Sequence, residues 1–395
     1  MSRRPGTPEL LRALNDRSAF EHLLEAGPLT RGRLGELTGL SKVTASQLVV
    51  RLQERGLIEV VGTRSGGRGP SAELYAVRPG CSYAVGVDMV LDRIQAAVAG
   101  VTGPVVAQVS RPSEDTADPL SVVHDAVLEA LRKAGVGLAE LGTVVIGTTG
   151  VVDPASGDVT FSFDLPRWHR GLREALHADL GCEIIIENDV NLAAIAEREE
   201  GAARDVEDMV LFWVGRGIGL AVVLGGRLQR GASGAAGEIG YLPAPGAPLL
   251  DDVSRRDSRG QLGGSLQQLV GAAAVSELAA RHGIVADSAP GAVRAALAAG
   301  SPAYPFLDEL AHRLAIGVAS VCAVVDPARV VLAGEVGAAG DERLCNLVSD
   351  AVGHLVPVSP KVVATSVRED PVLRGALLTA VGKTRESLLA SIAAS

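Results

Sequence analysis

Apolar side chains recur at helical spacing in three short blocks within the first eighty residues. Leu10, Leu11, Leu14, Phe20, Leu23 and Leu24 make the first block, opened by Thr7-Pro8-Glu9 and stopped by Gly27-Pro28. Thr30 is placed to cap a second helix through Leu34 and Leu37, which Gly39 ends. Ser41 then caps a third helix, about Lys42 to Arg55, whose Ala45, Leu48, Val49 and Leu52 form one buried stripe. The short Thr38–Leu40 link between two capped helices has the form of a helix-turn-helix. Two strand-like runs follow, 57–61 and 74–77, joined by a Gly-rich basic hairpin. This order predicts a winged helix-turn-helix over 1–80, with its wing at 62–78.

From Cys81 onward the period changes. Strands are expected at 83–88, 94–101, 105–110, 143–147, 183–187, 211–214, 219–224 and 330–333, with helices at 119–134 and from Val190. Alternating strands and helices predict an α/β body whose ligand sites lie at strand C-termini. The 395-residue length suits two or three domains rather than one.

The net charge of −9 argues against a general nucleic-acid binder, but the charge is unevenly distributed. Residues 1–80 carry 12 Lys and Arg against 8 Asp and Glu; the remainder carry 25 against 38. A basic head on an acidic body suits a module that reads double-stranded DNA. Thr30, Arg31, Ser41, Lys42, Thr44, Gln47 and Arg51 are the candidate contacts from the helices, and Arg68, between glycines, from the wing. The competing reading is a three-helix module that binds protein, with a merely solvated polar face. Cys81, Cys182, Cys322 and Cys345 lack any paired spacing, so no zinc knuckle or redox pair is expected. Residues 1–14 lack the apolar stretch of a signal peptide, and no uninterrupted apolar run reaches membrane-spanning length; a cytoplasmic, membrane-free protein is expected.

Four motifs in the body carry a family resemblance. They are Gly147-Thr-Thr-Gly-Val-Val-Asp153, Leu165-Pro-Arg-Trp168, Glu187-Asn-Asp-Val-Asn191 and Gly234-Ala-Ala-Gly-Glu-Ile-Gly240. With the 29–68 segment they make the chain resemble the repressor branch of the ROK family (repressors, open reading frames and kinases). The resemblance implies an actin-like, two-lobed sugar-kinase fold over 81–395. The small lobe is expected at about 81–188 plus a C-terminal helix, and the large lobe at about 189–370. It also implies a dimer or tetramer, and a sugar or related effector held by Asn188, Asp189, Glu238, Tyr241 and Gln267.

The same resemblance implies lost chemistry. Asp189 matches the family's general base, yet the phosphate-binding Asp-x-Gly-Gly-Thr turn reads Asp88-Met-Val-Leu-Asp92. The second glycine loop keeps Gly215, Gly217 and Gly219 but carries Arg216 where the family has Thr. The adenosine-side triple glycine is Gly334-Glu335-Val336. Asp189 is therefore expected to be a relict, with no ATP bound and no enzyme activity. Tyr241, Ser258, Gly260 and Ser265 stand where the family has its zinc-site His and Cys residues, so no metal is expected. A sugar-responsive repressor is the leading reading. A sugar kinase with a DNA-binding head, and a regulator controlled by a partner protein, are the alternatives.

Overall fold

The structure is a computed structural model that describes residues 8–64, 71–90, 93–112, 118–161, 171–249, 265–358 and 360–394. The head comprises α1 (Pro8–Ala26), β1 (Leu29–Thr30), α2 (Arg31–Thr38), α3 (Lys42–Glu54), β2 (Ile58–Arg64) and β3 (Ala72–Val77). Its three strands pair in the order β1-β3-β2, antiparallel throughout. The capping prediction holds: Thr30 Oγ1 accepts from Arg33 N and Ser41 Oγ from Thr44 N, each at 3.2 Å. Such caps contribute about 1 kcal/mol apiece by satisfying an otherwise orphaned amide. Gly39 closes α2 in the left-handed region at φ 68°.

The head's core gathers Phe20, Leu23, Leu34, Leu48, Val49, Leu52, Ile58, Tyr75 and Val77. Leu10, Leu11 and Leu14 remain exposed, so the apolar pattern overstated how much of α1 is buried. Two residues distant in sequence complete that core: Val101 and the fully buried Ile392.

The body continues with β4 (Tyr83–Val90), β5 (Arg93–Gly100), β6 (Val105–Pro112), α4 (Pro119–Ala134), β7 (Leu141–Thr148), β8 (Val151–Val152), β9 (Val159–Phe161), α5 (Leu172–Leu180), β10 (Glu183–Asn188) and α6 (Asp189–Glu199). Then come β11 (Met209–Val214), β12 (Ile218–Leu224), β13 (Arg227–Leu228), α7 (Gln267–Val270), α8 (Ala272–Arg281), α9 (Ala289–Ala299), α10 (Tyr304–Val325), β14 (Arg329–Ala333), α11 (Gly334–Leu355), β15 (Lys361–Ala364) and α12 (Pro371–Ala394). No helix among the described residues is long and apolar enough to cross a membrane.

Two five-stranded sheets share one pattern. The first runs β6-β5-β4-β7-β10 and the second β13-β12-β11-β14-β15. In each, a three-stranded antiparallel meander is extended on one side by two later strands. In the second sheet those added strands are parallel, as their helical connections require. α4 packs on β5 and β6 of the first sheet. α6 covers β11 and β12, and α11 covers β11, β14 and β15. Phe212, Leu266, Leu310, Leu314, Leu332 and Val336 lie at the centre of the second core.

The chain divides into two compact units. One holds Met1–Ile146, Gly171–Ile185 and Ala376–Ser395; the other holds Gly147–Arg170 and Ile186–Gly375. This differs from the domain limits expected from sequence in two ways. The 147–170 stretch belongs with the second unit. The winged helix groups with the first sheet rather than standing apart, because the end of α12 enters its core. Arg385 reinforces that union, donating from Nε to the Val101 carbonyl at 2.7 Å.

Candidate ligand site and nucleic-acid interface

In the head, helical geometry and capping divide the predicted DNA contacts into separate roles. Lys42 and Gln47 are exposed on α3. Arg31, at the start of α2, is exposed and donates to Ser46 Oγ at 3.1 Å. Thr30 and Ser41 are engaged as helix caps, and the Thr44 hydroxyl lies 2.9 Å from that of Ser41. Arg51 departs from expectation. Its guanidinium grips buried Asp16 of α1, Nε to Oδ2 at 2.9 Å and Nη2 to Oδ1 at 2.5 Å. The hydrogen bonds to Asp16 hold its pKa above the usual range although burial pulls the other way. Arg51 is thus a strut between helices. Sequence reasoning missed Asp16 because its partner lies 35 residues away. Arg68 lies outside the described residues.

In the second unit, three motifs meet. β10 ends at Asn188, whose side chain serves two purposes. Oδ1 accepts from Asn191 N at 3.1 Å, capping α6, and Nδ2 donates to the Gly150 carbonyl at 3.1 Å. The Gly147–Asp153 loop is thereby clipped to the strand end. Asp189 opens α6, and its Oδ1 accepts from Val190 N at 2.9 Å. The Gly234–Gly240 loop is pressed between two strands: a side chain on Gly234 would strike the Val152 carbonyl, and one on Gly237 the Leu220 carbonyl. Both glycines have positive φ, 82° and 99°, so residue size and backbone conformation each demand glycine there. This close approach positions Glu238. Burial raises the Glu238 pKa above the usual carboxylate value, and no cation pairs with it among the described residues. Tyr241 follows in a short helical turn, Ile239–Tyr241.

Two neighbours that the sequence left unassigned hold the strand end in place. Glu187 is buried; Oε1 accepts from Asn188 N and from Asn191 Nδ2, each at 2.9 Å. Oε2 pairs with Arg230 Nε at 2.6 Å. Arg230 was detectable only as a cation set just before the Gly231 turn of an otherwise small-residue loop.

Gln267 differs from expectation. It is buried, and both ends of its amide are bound to the β11–β12 turn: Oε1 accepts from Ile218 N and Nε2 donates to the Arg216 carbonyl, each at 2.9 Å. It braces that turn rather than facing a ligand. A glutamate could not make the second of these bonds, because a carboxylate has no hydrogen to donate. The same turn carries the glycines expected to approach phosphates. Glu335, in the first turn of α11, lies against Gly215 so closely that a methyl group there would collide with its carboxylate.

The residues at the family's zinc positions do not fit the ion. Tyr241 and Ser265 supply neither imidazole nor thiolate, and Ser258 and Gly260 lie outside the described residues. Ser265 is buried with a hydroxyl that finds no hydrogen-bond partner among the described residues, at φ 63°. No cluster of His, Cys, Asp and Glu among the described residues is arranged to hold a metal. The four cysteines are free thiols, and burial pushes them up to about 11, or about 12 for Cys345.

The chain thus combines a winged helix with two like-patterned α/β sheets and a polar cluster at a strand end. The chain belongs to the ROK family, which it matches over residues 84–382, and residues 16–69 match the MarR family of winged helices. It is 24% identical over 351 residues to the xylose repressor of Caldicellulosiruptor bescii, covering 85% of this chain and 86% of that one. It is 27% identical over 239 residues to the DNA-binding transcriptional dual regulator NagC of Escherichia coli, covering 60% and 59%. Among solved structures, a ROK family transcriptional regulator homologous to E. coli MLC superposes with a TM-score of 0.71 at 18% identity, over 97% of this chain and 99% of that one. The ROK hexokinase of Thermus thermophilus gives 0.62 at 28% identity, over 77% and 99%.

Proposed function

We propose that this protein is a transcriptional repressor whose winged helix binds an operator and whose ROK body senses a sugar or sugar derivative. The reading rests on one observation. An outward-facing helix suited to a major groove and a strand-end cluster suited to hydroxyl groups occur in the same chain. Relatives named xylose repressor and N-acetylglucosamine repressor support it. Asn188 retains a second amide hydrogen beyond its bond to Gly150, and Glu238 offers a carboxyl group whose ionised form is disfavoured by burial. Both suit neutral, hydroxyl-rich ligands. Effector binding alters DNA affinity only if the effector distinguishes the DNA-competent state from the other state. Paired winged helices in a homodimer or tetramer supply the avidity that one module lacks. The protein works in the cytoplasm, where its DNA is.

We further infer that the body is not catalytic. Val90 and Leu91 stand at the glycine positions of the first phosphate turn, and Glu335 places negative charge against Gly215 of the second. Both features oppose a triphosphate. A zinc ion has no role in this reading, since the ligand positions that are described carry the wrong atoms. Asp189, at the start of α6, and the retained Gly215, Gly217 and Gly219 are the features that favour a kinase.

The deciding experiment measures binding of the full chain to duplex fragments of its own genome, with and without a panel that includes xylose and N-acetylglucosamine. Discrete sites whose affinity changes with one sugar support the reading. Sites indifferent to every sugar would leave control to a partner protein. Sugar phosphorylation with magnesium and ATP, abolished in Asp189→Asn, would overturn the non-catalytic assignment.

A further inference from the structure

We propose that Val43 is a specificity determinant, reading a thymine methyl group in the operator's major groove; this rests on the DNA-binding function above. At 3.6 residues per turn, Ala45, Leu48, Val49 and Leu52 define the buried side of α3. The direction opposite them passes through Val43, Gln47, Val50 and Glu54, at i, i+4, i+7 and i+11. The Thr44 and Arg51 positions lie toward the edge of that face. Exposure agrees: Val43 is 69% exposed and Val50 48%, whereas Thr44 bonds Ser41 and Arg51 is held by Asp16. The row that faces outward most directly is therefore apolar–amide–apolar over its first turns, with the acid Glu54 at the far end of the helix.

A lone exposed valine is ordinary on a protein surface. The position of Val43 is what gives it meaning. It lies in the first turn of the helix that a helix-turn-helix inserts into the groove, with its N-terminal residues toward the base edges. Lys42 precedes it, and Gln47 stands one turn beyond; both are exposed. A cation suits a phosphate and a carboxamide suits the adenine edge, so the apolar group between them faces bases rather than solvent. The floor of a major groove offers one apolar feature, the C5 methyl of thymine. Against a G·C pair the same side chain would cover a cytosine amino group or a guanine oxygen without replacing its hydrogen bond to water. The Val43–Gln47 row thus favours A·T pairs at adjacent positions.

The test uses the full chain and a duplex that it selects from a randomised pool. Each thymine of that duplex is replaced in turn by deoxyuridine, which removes the methyl group and nothing else. With the natural protein, one thymine per half-site should lose about three- to tenfold in affinity, the scale of one buried methyl. With Val43→Ala, which leaves the head's core untouched, the natural duplex should bind more weakly by a similar factor and the deoxyuridine penalty should vanish. Unchanged thermal unfolding of Val43→Ala confirms that folding is not at issue. A duplex indifferent to every replacement, or a penalty that persists in Val43→Ala, overturns the assignment. A pool in which no sequence is enriched overturns the DNA-reading function itself.

Discussion

Arg51 and Asp16 form a two-pronged ion pair that fastens the third helix of the winged head to the first, with Asp16 almost wholly buried. A basic residue on a DNA-reading helix thus serves stability. Arg51→Ala strands a buried carboxylate and should destabilise the head by about 2 kcal/mol, discounted because Arg51 is a third exposed. Faster amide exchange across residues 8–64 would show it. The double change Asp16→Ala with Arg51→Ala should recover part of the loss, since no charge is then left buried and unpaired.

Lys42 supplies the contrast. Lys42→Ala should leave amide exchange unchanged, weaken binding to all duplexes alike, and lower the slope of log affinity against log salt by about 1. Loss of affinity for one sequence alone would show that Lys42 contacts a base.

Gln267 joins the β11–β12 turn to α7 by two buried bonds. Gln267→Glu forfeits the bond to the Arg216 carbonyl and sets two acceptors face to face, so it should destabilise the second unit by about 1–3 kcal/mol. Trp213 lies on the adjoining strand, making its fluorescence the convenient probe.

Glu238 provides a pH signature. Burial raises its pKa above 4.5, so the folded state holds its proton more tightly than the unfolded chain does. That advantage is fully present below the unfolded value and is lost as pH rises through the folded one. Glu238→Gln should therefore raise the unfolding temperature at neutral pH, and the gain should shrink as pH falls through the raised folded value and be gone below about 4.5. A gain independent of pH would mean that Glu238 is not held in a desolvated place.

Much of this was legible along the chain. The Thr30 and Ser41 caps, the Ala45–Leu52 stripe and the β11–β12 hairpin follow from local chemistry, and each forms where residue order places it. The Glu187–Asn191 and Gly234–Gly240 motifs mark the strand end and the loop that meet in space. What escaped were relations between distant residues. Nothing local tells that Arg51 finds Asp16, that Gln267 turns toward Ile218 and Arg216, or that Glu335 lies over Gly215. Of the polar side chains singled out on α3, Thr44 is bonded to Ser41 and Arg51 to Asp16, relations that polarity alone does not reveal.

Ile392 fills a position in the head's core, with Leu388 and Leu389 packed beside it. Ile392→Ala should cost about 2–4 kcal/mol and speed amide exchange in α1 and α3 while leaving β11 and β14 protected. The consequence concerns the order of synthesis. In synthesis the helices of the head are made long before residue 392, so their core stays incomplete until the end of α12 has left the ribosome. A chain interrupted in mid-synthesis, without a finished sensor, lacks the last piece of the head. A complete head is thereby reserved for molecules whose ROK body has also been made.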